Sequence, residues 1–341
     1  MKRVEKRSIT IKDVAKRAGV AHSTVSLVMN EREHVSPKLR ERILKIAAEM
    51  GYQPNMLARS LISKKSSTVA VVFPENPHFF TITYFLMLIE GIQNACKKYD
   101  RVLMFFSLDQ TKGESYYQIS RKWLIDLMVI INIDYTRDIS RDIQDLKNNN
   151  ICFSVITKYR GKEKVNSVSV DNFEGVRLAL EYLISQGHRR VGYISGNPNS
   201  SDGPERLRAF KTLSKQLNLE QDEELIVYGD FTFESGEREM PKLLDLKKRP
   251  TAVFAASDYM AIGAMRTIKA RGLSIPKDIA LIGFDNTLEA AYVEPGLTTI
   301  RQPLQEMGER AVDLAIQSMR EPEAGPQTLV LKPEFIKRQS C

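Results

Sequence analysis

The Lys and Arg residues of this chain are concentrated at its N-terminus, where they could bind the phosphates of a nucleic acid. Residues 1–65 contain 15 Lys and Arg against six Asp and Glu, a local charge of +9. The whole chain of 341 residues has a formal charge of +8, so the rest of the chain carries −1. A basic segment on a near-neutral body is typical of phosphate neutralisation, whereas a generally basic enzyme would spread its charge.

Short helices joined by a tight turn are predicted within this basic segment. Thr10 can cap a first helix together with Asp13, and Gly19 can end that helix. A second helix is expected to begin near His22, with polar residues on one face and valines on the other. A third is expected within residues 36–51, where a Ser-Pro pair precedes an apolar period and a glycine follows it. The pattern indicates a compact helix-turn-helix unit.

The remainder of the chain has a different texture, in which short apolar runs rich in β-branched residues alternate with helical stretches. Such runs, with helices between them, predict parallel sheets covered on both faces. Eight runs are many for a single sheet, so more than one sheet is expected. They read STVAVVF, RVLMFFS, LMVIIN, ICFSVIT, RRVGYIS, LIVYGD, TAVFAAS and IALIGF.

Several functional classes are disfavoured by what the sequence lacks. The three cysteines are widely spaced without a CxxC pair, and there are four histidines, so neither a disulfide framework nor a zinc site is indicated. No apolar run of signal-peptide or membrane-spanning type occurs, so we expect a cytoplasmic protein without membrane contact.

The motifs GxGxxG, GxxxxGK[ST] and GxSxG are absent, and we predict no enzyme activity, catalytic residue, metal or cofactor. An exported solute receptor would have no use for the basic segment.

Sequence blocks along most of the chain resemble the lactose-repressor (LacI/GalR) family, in family order. The N-terminal blocks are TIKDVAKRAGVAHSTVSLVMN, VSPKLRERI and GYQPNMLARSL; the later ones are VNSVSVDNFEG, LISQGHRRVGYISG, ERLRAF, ASDYMAIGAM, LIGFDN and LTTIRQP. The resemblance implies a multi-domain protein. An all-α helix-turn-helix headpiece would occupy residues 1–54, a hinge helix and linker residues 55–66, and an α/β effector-binding body residues 67–341.

The body is expected to resemble periplasmic binding proteins, with two Rossmann-like lobes. The N-lobe is predicted at residues 67–166 and 300–323, and the C-lobe at residues 167–299 and 324–341. Crossings between lobes are expected near 165–169, after Asp285 and around 298–303. The ligand would lie in the cleft that faces the carboxyl ends of the strands.

The resemblance also assigns residues to DNA. His22 and Ser23 would read base edges from a helix in the major groove. At position 27 the family usually has arginine, whereas this chain has Leu27. Leucine cannot make the bidentate contact to guanine but can touch a thymine methyl, so we expect an operator half-site changed at one position. The complete predicted set is Thr10, His22, Ser23, Thr24, Ser26, Leu27, Asn30, Asn55, Ala58 and Leu61.

The segment from Asn55 to about Ser63 resembles the family's hinge helix, which folds when paired at the operator centre. Leu61 then matches a wedge that enters the minor groove and kinks the duplex. The alternative is that Leu57 and Leu61, four residues apart, form the apolar stripe of a short packed helix. Paired hinges and headpieces imply a homodimer that reads pseudo-palindromic operator DNA.

Candidate effector contacts follow from the same resemblance. Asp285 and Arg206 match positions that hold ligand hydroxyls or carboxylates, although a structural salt bridge is an alternative. Phe231 would stack on a ligand ring or belong to the core, and Asp258 would contact the ligand or cap a helix. The complete predicted set is Tyr84, Phe85, Asn132, Arg206, Phe231, Ser257, Asp258 and Asp285.

Tyr84 and Phe85 match an aromatic pair of the family, after a loop about four residues longer than usual. They are therefore expected either in an aromatic wall of the cleft or at a dimer surface. The implied function is an operator-binding repressor whose DNA affinity is controlled by a small molecule. Polar groups with an aromatic stacker suit a sugar or sugar derivative, and purines or nucleosides also fit. The residues do not distinguish an inducer from a corepressor.

Overall fold

The computed structural model describes residues 9–29, 35–52, 67–75, 80–108, 114–131, 135 and 139–341. The chain divides into two compact units, Met1–Ser66 and Ser67–Cys341. The predicted hinge and linker at residues 55–66 lie outside the described residues. In the described part of the chain, no helix is both long and apolar enough to cross a membrane.

The described residues of the first unit form three helices, α1 (Ile11–Ala18), α2 (His22–Met29) and α3 (Pro37–Glu49). At the start of α1, the Asp13 carboxylate accepts hydrogen bonds from the backbone N–H and the hydroxyl of Thr10, at 2.9 and 2.7 Å. Gly19 ends α1 with a φ of +64°, a left-handed conformation that glycine adopts at little cost. Local signals in the sequence therefore set the bounds of α1.

The third helix fixes the other two. From α3, Arg42 Nη2 donates to the Ala18 carbonyl at 2.5 Å and Arg40 Nη1 donates to the Val28 carbonyl at 3.3 Å. These carbonyls lie in the last turns of α1 and α2, where backbone acceptors lack partners within the helix. The shared apolar core consists of Val14, Ala15, Ala18, Val25, Val28, Ile43 and Ala47.

The second unit contains two six-stranded sheets, each covered by helices. The sheet of the first lobe has the order β11-β5-β4-β3-β1-β2 and all its pairs are parallel. Its strands are β1 (Thr68–Pro74), β2 (Val102–Leu108), β3 (Leu127–Ile131), β4 (Cys152–Ile156), β5 (Asn166–Val170) and β11 (Thr328–Leu331). Its helices are α4 (Thr83–Lys98), α5 (Tyr116–Trp123), α6 (Ser140–Asn148) and α12 (Leu304–Arg320).

The sheet of the second lobe has the order β12-β10-β9-β8-β6-β7, and its antiparallel pair is β10 with β12. Its strands are β6 (Val191–Ser195), β7 (Ile226–Tyr228), β8 (Ala252–Ala255), β9 (Ala280–Asp285), β10 (Thr298–Arg301) and β12 (Glu334–Ile336). Its helices are α7 (Asn172–Ser185), α8 (Asp202–Gln216), α9 (Phe233–Leu244), α10 (Asp258–Ala270) and α11 (Leu288–Tyr292). Short 3₁₀ helices lie at Glu223–Leu225 and Pro322–Ala324.

The chain passes between the lobes after β5, after β10 and after β11, at residues 171, 302–303 and 332–333. The lobe ranges predicted from the sequence end after about residues 166, 299 and 323, and the crossing at 302–303 lies within the predicted range of 298–303. The structure differs because each strand completes its ladder before the chain leaves the sheet: β5 pairs with β4, and β11 pairs with β5. No crossing follows Asp285, since β10 pairs with β9 in the same sheet.

Two glycines bring α4 and α12 into close contact. A Cβ atom on Gly91 would lie 1.8 Å from the Gln305 carbonyl oxygen, and one on Gly308 would lie 2.3 Å from the Leu88 carbonyl oxygen. Only residues without a side chain permit this backbone approach. The packing fixes the position of α4, whose first turn reaches the space between the lobes.

Candidate functional site

A cavity of about 170 Å³ lies between the two lobes of the second unit. The first lobe contributes the start of α4, and the second lobe contributes the segments that follow β6, β7, β8 and β9. Because neighbouring parallel strands end at the same edge of a sheet, these segments converge. The described lining residues are Ile82, Tyr84, Phe85, Asn197, Ser200, Asp202, Arg206, Asp230, Phe231, Thr232, Ser257, Tyr259 and Asp285.

Arg206 lies on α8, 2% exposed, and is held by several contacts. Its Nε donates to Asn172 Oδ1 at 2.8 Å and its Nη1 donates to the Ala256 carbonyl at 2.6 Å. The guanidinium carbon lies 3.7 Å from the ring centroid of Phe284, within range of a cation–π interaction. The side chain therefore has one fixed orientation at the cavity wall.

Asp285, the last residue of β9, lies beside Arg206. Arg206 Nη1 is 3.6 Å from Asp285 Oδ1, which also accepts a hydrogen bond from Gln302 Nε2 at 2.6 Å. Burial raises the pKa of the Asp285 carboxyl, and the Arg206 guanidinium opposes that rise. The salt bridge that the sequence left as an alternative is present, and both side chains also line the cavity.

Phe231 forms part of the cavity wall in an unusual backbone conformation. Its φ is +74°, and Asp285 and the adjacent Asn286 have φ values of +127° and +58°. Positive φ is costly for residues other than glycine and clusters at functional sites. The ring lies against the backbone of Gly196, where a Cβ atom would come within 2.1 Å of it. The ring of Phe231 therefore lines the cavity, and its contact with Gly196 limits where the ring can lie.

Asp258 does not line the cavity, unlike the other described residues that the resemblance assigned to the effector. Its carboxylate is completely buried and accepts hydrogen bonds from the Thr287 N–H at 2.7 Å and the Thr299 hydroxyl at 2.5 Å. Burial raises its pKa to about 6. Asp258 therefore ties α10 to the loop after β9 and to β10. The cap of α10 is Ser257, whose hydroxyl accepts from the Met260 N–H.

Tyr84 and Phe85 meet edge to face with their ring centroids 5.3 Å apart and line the cavity from the first lobe. Burial raises the pKa of the Tyr84 phenol, so this hydroxyl stays protonated at neutral pH. Of the two destinations left open by the sequence, these rings occupy the wall of the cleft.

Direct contacts join the lobes on both sides of the cavity. On one side, the Thr83 N–H donates to the Tyr259 hydroxyl at 3.1 Å, and the Thr83 hydroxyl donates to Glu289 at 2.5 Å. On the other, Lys158 Nζ lies 2.6 Å from Glu205, and Thr157 donates to Asp202 at 3.1 Å. The lobes are therefore closed upon the cavity.

Seven lining residues were not among the predicted effector contacts. Ile82 lies in the first lobe, directly before α4, and the other six follow strands of the second lobe, within or beside a polar loop. The spacing of Asp202 to Arg206 was a usable signal, because residues four apart share one face of a helix. The six residues of the second lobe are Asn197, Ser200, Asp202, Asp230, Thr232 and Tyr259.

The first unit carries the residues that the resemblance assigned to DNA. Val25 and Val28 of α2 are buried, whereas His22 and Ser23 at its start are exposed. Thr10 is also exposed, and Thr24, Ser26 and Leu27 are partly exposed. The outer face of α2 is thus polar and accessible. The predicted contacts Asn30, Asn55, Ala58 and Leu61, and the predicted effector contact Asn132, lie outside the described residues.

Two family models match this chain, one in each of its two units. The model "Bacterial regulatory proteins, lacI family" matches residues 10–55, and the model "Periplasmic binding protein-like domain" matches residues 180–341. Among curated relatives, the HTH-type transcriptional repressor PurR of Yersinia enterocolitica is 33% identical over 334 residues, which is 97% of this chain and 96% of the relative.

Solved structures agree with these matches. A complex of the transcriptional regulator CelR with cellobiose is 30% identical, with a TM-score of 0.76, and covers 98% of this chain and 100% of that one. A lac repressor dimer bound to operator and the anti-inducer ONPF is 25% identical, with a TM-score of 0.84, and covers 98% and 99%. With similarity over nearly its full length, the chain belongs to the lacI family of bacterial regulatory proteins.

Proposed function

We propose that this protein represses transcription by binding operator DNA as a homodimer, and that a small sugar or sugar derivative controls its DNA affinity. The observation that carries the proposal is the presence, in one chain, of a basic unit with a polar helix face and a cavity between two lobes that polar and aromatic side chains line. Binding in the cavity can alter DNA affinity only if the ligand favours one lobe arrangement over another.

The chemistry of the cavity suits a sugar. Ring hydroxyls need several hydrogen-bonding partners, which Asn197, Ser200 and Asp285 can provide. The apolar face of a sugar ring needs an aromatic surface, which Phe231 can provide. The CelR regulator, whose structure contains cellobiose, is similar to this chain over its whole length.

Exposed apolar side chains on the second unit support the homodimer. Phe80 and Phe105 are exposed and meet edge to face with ring centroids 5.5 Å apart. Apolar surface of this kind marks interaction sites in soluble proteins. The similar lac repressor structure is also a dimer.

Removal of residues 1–66 tests the DNA-binding part of the proposal. The operator is first obtained by affinity selection from random DNA with the full-length protein. We expect the shortened protein to lose operator affinity by about 1,000-fold or more, since it lacks base contacts and the basic segment. Fluorescence anisotropy at four salt concentrations measures the affinity and its salt dependence.

Sugar binding by the shortened protein is the internal control, because the cavity lies within the second unit. A shortened protein that binds sugar normally but not operator supports the proposal. If it retained both the operator affinity and the salt dependence of the full-length chain, residues 1–66 would not be the DNA-binding unit.

A further inference from the structure

The cavity contains more negative than positive side chains. Among its described lining residues, Asp202, Asp230 and Asp285 are acidic, Arg206 is basic, and none is Lys or His.

Arg206 is poorly placed to receive an anionic ligand. Its charge faces Asp285 at 3.6 Å, and two of its nitrogens already donate to Asn172 and to the Ala256 carbonyl. A phosphate or carboxylate that approached Arg206 would therefore meet the Asp285 carboxylate at the same point. Repulsion between like charges is strong where water is scarce.

The Asp202 carboxylate supplies negative charge to the cavity. Its hydrogen-bond donors among the described residues are neutral side chains. Its Oδ1 accepts from Asn172 Nδ2 at 2.9 Å and its Oδ2 accepts from the Thr157 hydroxyl at 3.1 Å. The nearby cations Lys158 and Arg208 pair with Glu205 instead, at 2.6 and 3.6 Å. In the described part of the chain, no salt bridge to Asp202 is formed.

Asp230, which follows the neighbouring strand β7, adds to the negative charge of the cavity. Its carboxylate accepts from the Thr232 N–H at 3.0 Å and from the Thr232 hydroxyl. Arg238 lies 3.6 Å away but is closer to Glu239, at 2.9 Å. One guanidinium is thus shared between two carboxylates.

We propose that the effector carries no net negative charge, and that Asp202 excludes phosphorylated sugars and uronates from the cavity. Neutral sugars fit because their hydroxyls can donate hydrogen bonds to carboxylates. Amino sugars also fit, since an ammonium group gains from the negative wall. A phosphate group brings a charge of about −1.5 to −2 at neutral pH and is repelled. This inference rests on the proposed function, because it specifies the sugar that the cavity accepts.

Isothermal titration of the full-length protein with matched ligands tests the inference. The probes are cellobiose, D-glucose and D-ribose, each beside its monophosphate, together with glucosamine and glucuronate. We expect the sugar that binds to do so at least 100-fold more tightly than its phosphorylated counterpart. The variant Asp202→Asn keeps the shape of the side chain, and we expect it to reduce this ratio at least 10-fold.

The matched control is Asp245→Asn, which removes a carboxylate that pairs with Arg271 on the surface of the same lobe and is 60% exposed. It should leave the ratio unchanged. Equal or tighter binding of a phosphorylated sugar by the wild-type protein overturns the inference and leaves sugar sensing intact. An unchanged ratio in Asp202→Asn overturns the role of Asp202. Absence of binding by every probe overturns the proposed sugar effector together with the inference.

Discussion

Replacement of Arg206 by methionine is expected to weaken effector binding by about 100-fold or more. The substitution removes the guanidinium that holds Asn172, the Ala256 carbonyl and Asp285 in place at the cavity wall, and each buried polar group left without its partner costs about 1–3 kcal/mol. It also leaves the buried Asp285 carboxylate without its cation, which costs about 3–5 kcal/mol of folding free energy. Isothermal titration measures the first effect, and urea unfolding measures the second.

Two further variants separate these effects. Arg208→Met changes the same residue type two positions along α8, where the side chain is 64% exposed, and should alter neither quantity. The double variant Arg206→Met with Asp285→Asn removes both charges of the pair. It should recover most of the lost folding free energy without recovering effector binding. Normal stability together with normal effector affinity in Arg206→Met would show that the pair serves neither role.

Replacement of Leu27 by arginine is expected to change the operator preference. Leu27 lies on α2 one turn after the exposed Ser23, and its side chain is partly exposed. A leucine can contact a thymine methyl, whereas an arginine can make a bidentate contact to guanine. We expect guanine to be favoured at one position of each half-site by about 1–3 kcal/mol. Affinity selection from random DNA with both proteins reveals the change.

Leu44→Arg is the matched control for this selection, because it places the same new charge on α3, where Leu44 is 45% exposed. It should increase affinity for all sequences through the phosphates without changing the base preference. Strong selection of guanine at that position by the wild-type protein would contradict the expected role of Leu27.

Features that depend on short stretches of sequence were predictable. The cap formed by Thr10 and Asp13, the glycine that ends α1 and the Ser-Pro start of α3 are all local, and the structure has each of these helices. The eight apolar runs correspond to eight strands of the two sheets. Buried parallel strands have continuous apolar sequences, which makes them visible without knowledge of their partners.

Four strands were missed, namely β5, β10, β11 and β12. β5 alternates serine with valine, and β11 pairs with it across nearly half of the sequence, with Thr328 opposite Ser167. β10 is rich in threonine, and β12 has three residues. Their sequences do not stand out because pairing, rather than composition, makes them strands.

The cavity could be predicted only in part, because consecutive residues beyond a strand point in different directions. Ser257 and Asp258 both follow β8, yet Ser257 lines the cavity and Asp258 is turned toward Thr287 and Thr299. Residues such as Asp230 and Tyr259 reach the cavity through loop geometry that no periodicity describes. The family resemblance identified positions that could contact a ligand. The fold determines which of those side chains line the cavity.

The most direct test of effector-controlled DNA binding is an operator titration of the full-length protein with and without a bound sugar. The sugar is one that isothermal titration has shown to bind, at a concentration that saturates the protein. We predict that it changes the operator Kd by about 5-fold or more, within the usual range of coupling between sites, and that Arg206→Met abolishes the change. An identical operator Kd at saturating sugar would contradict the account.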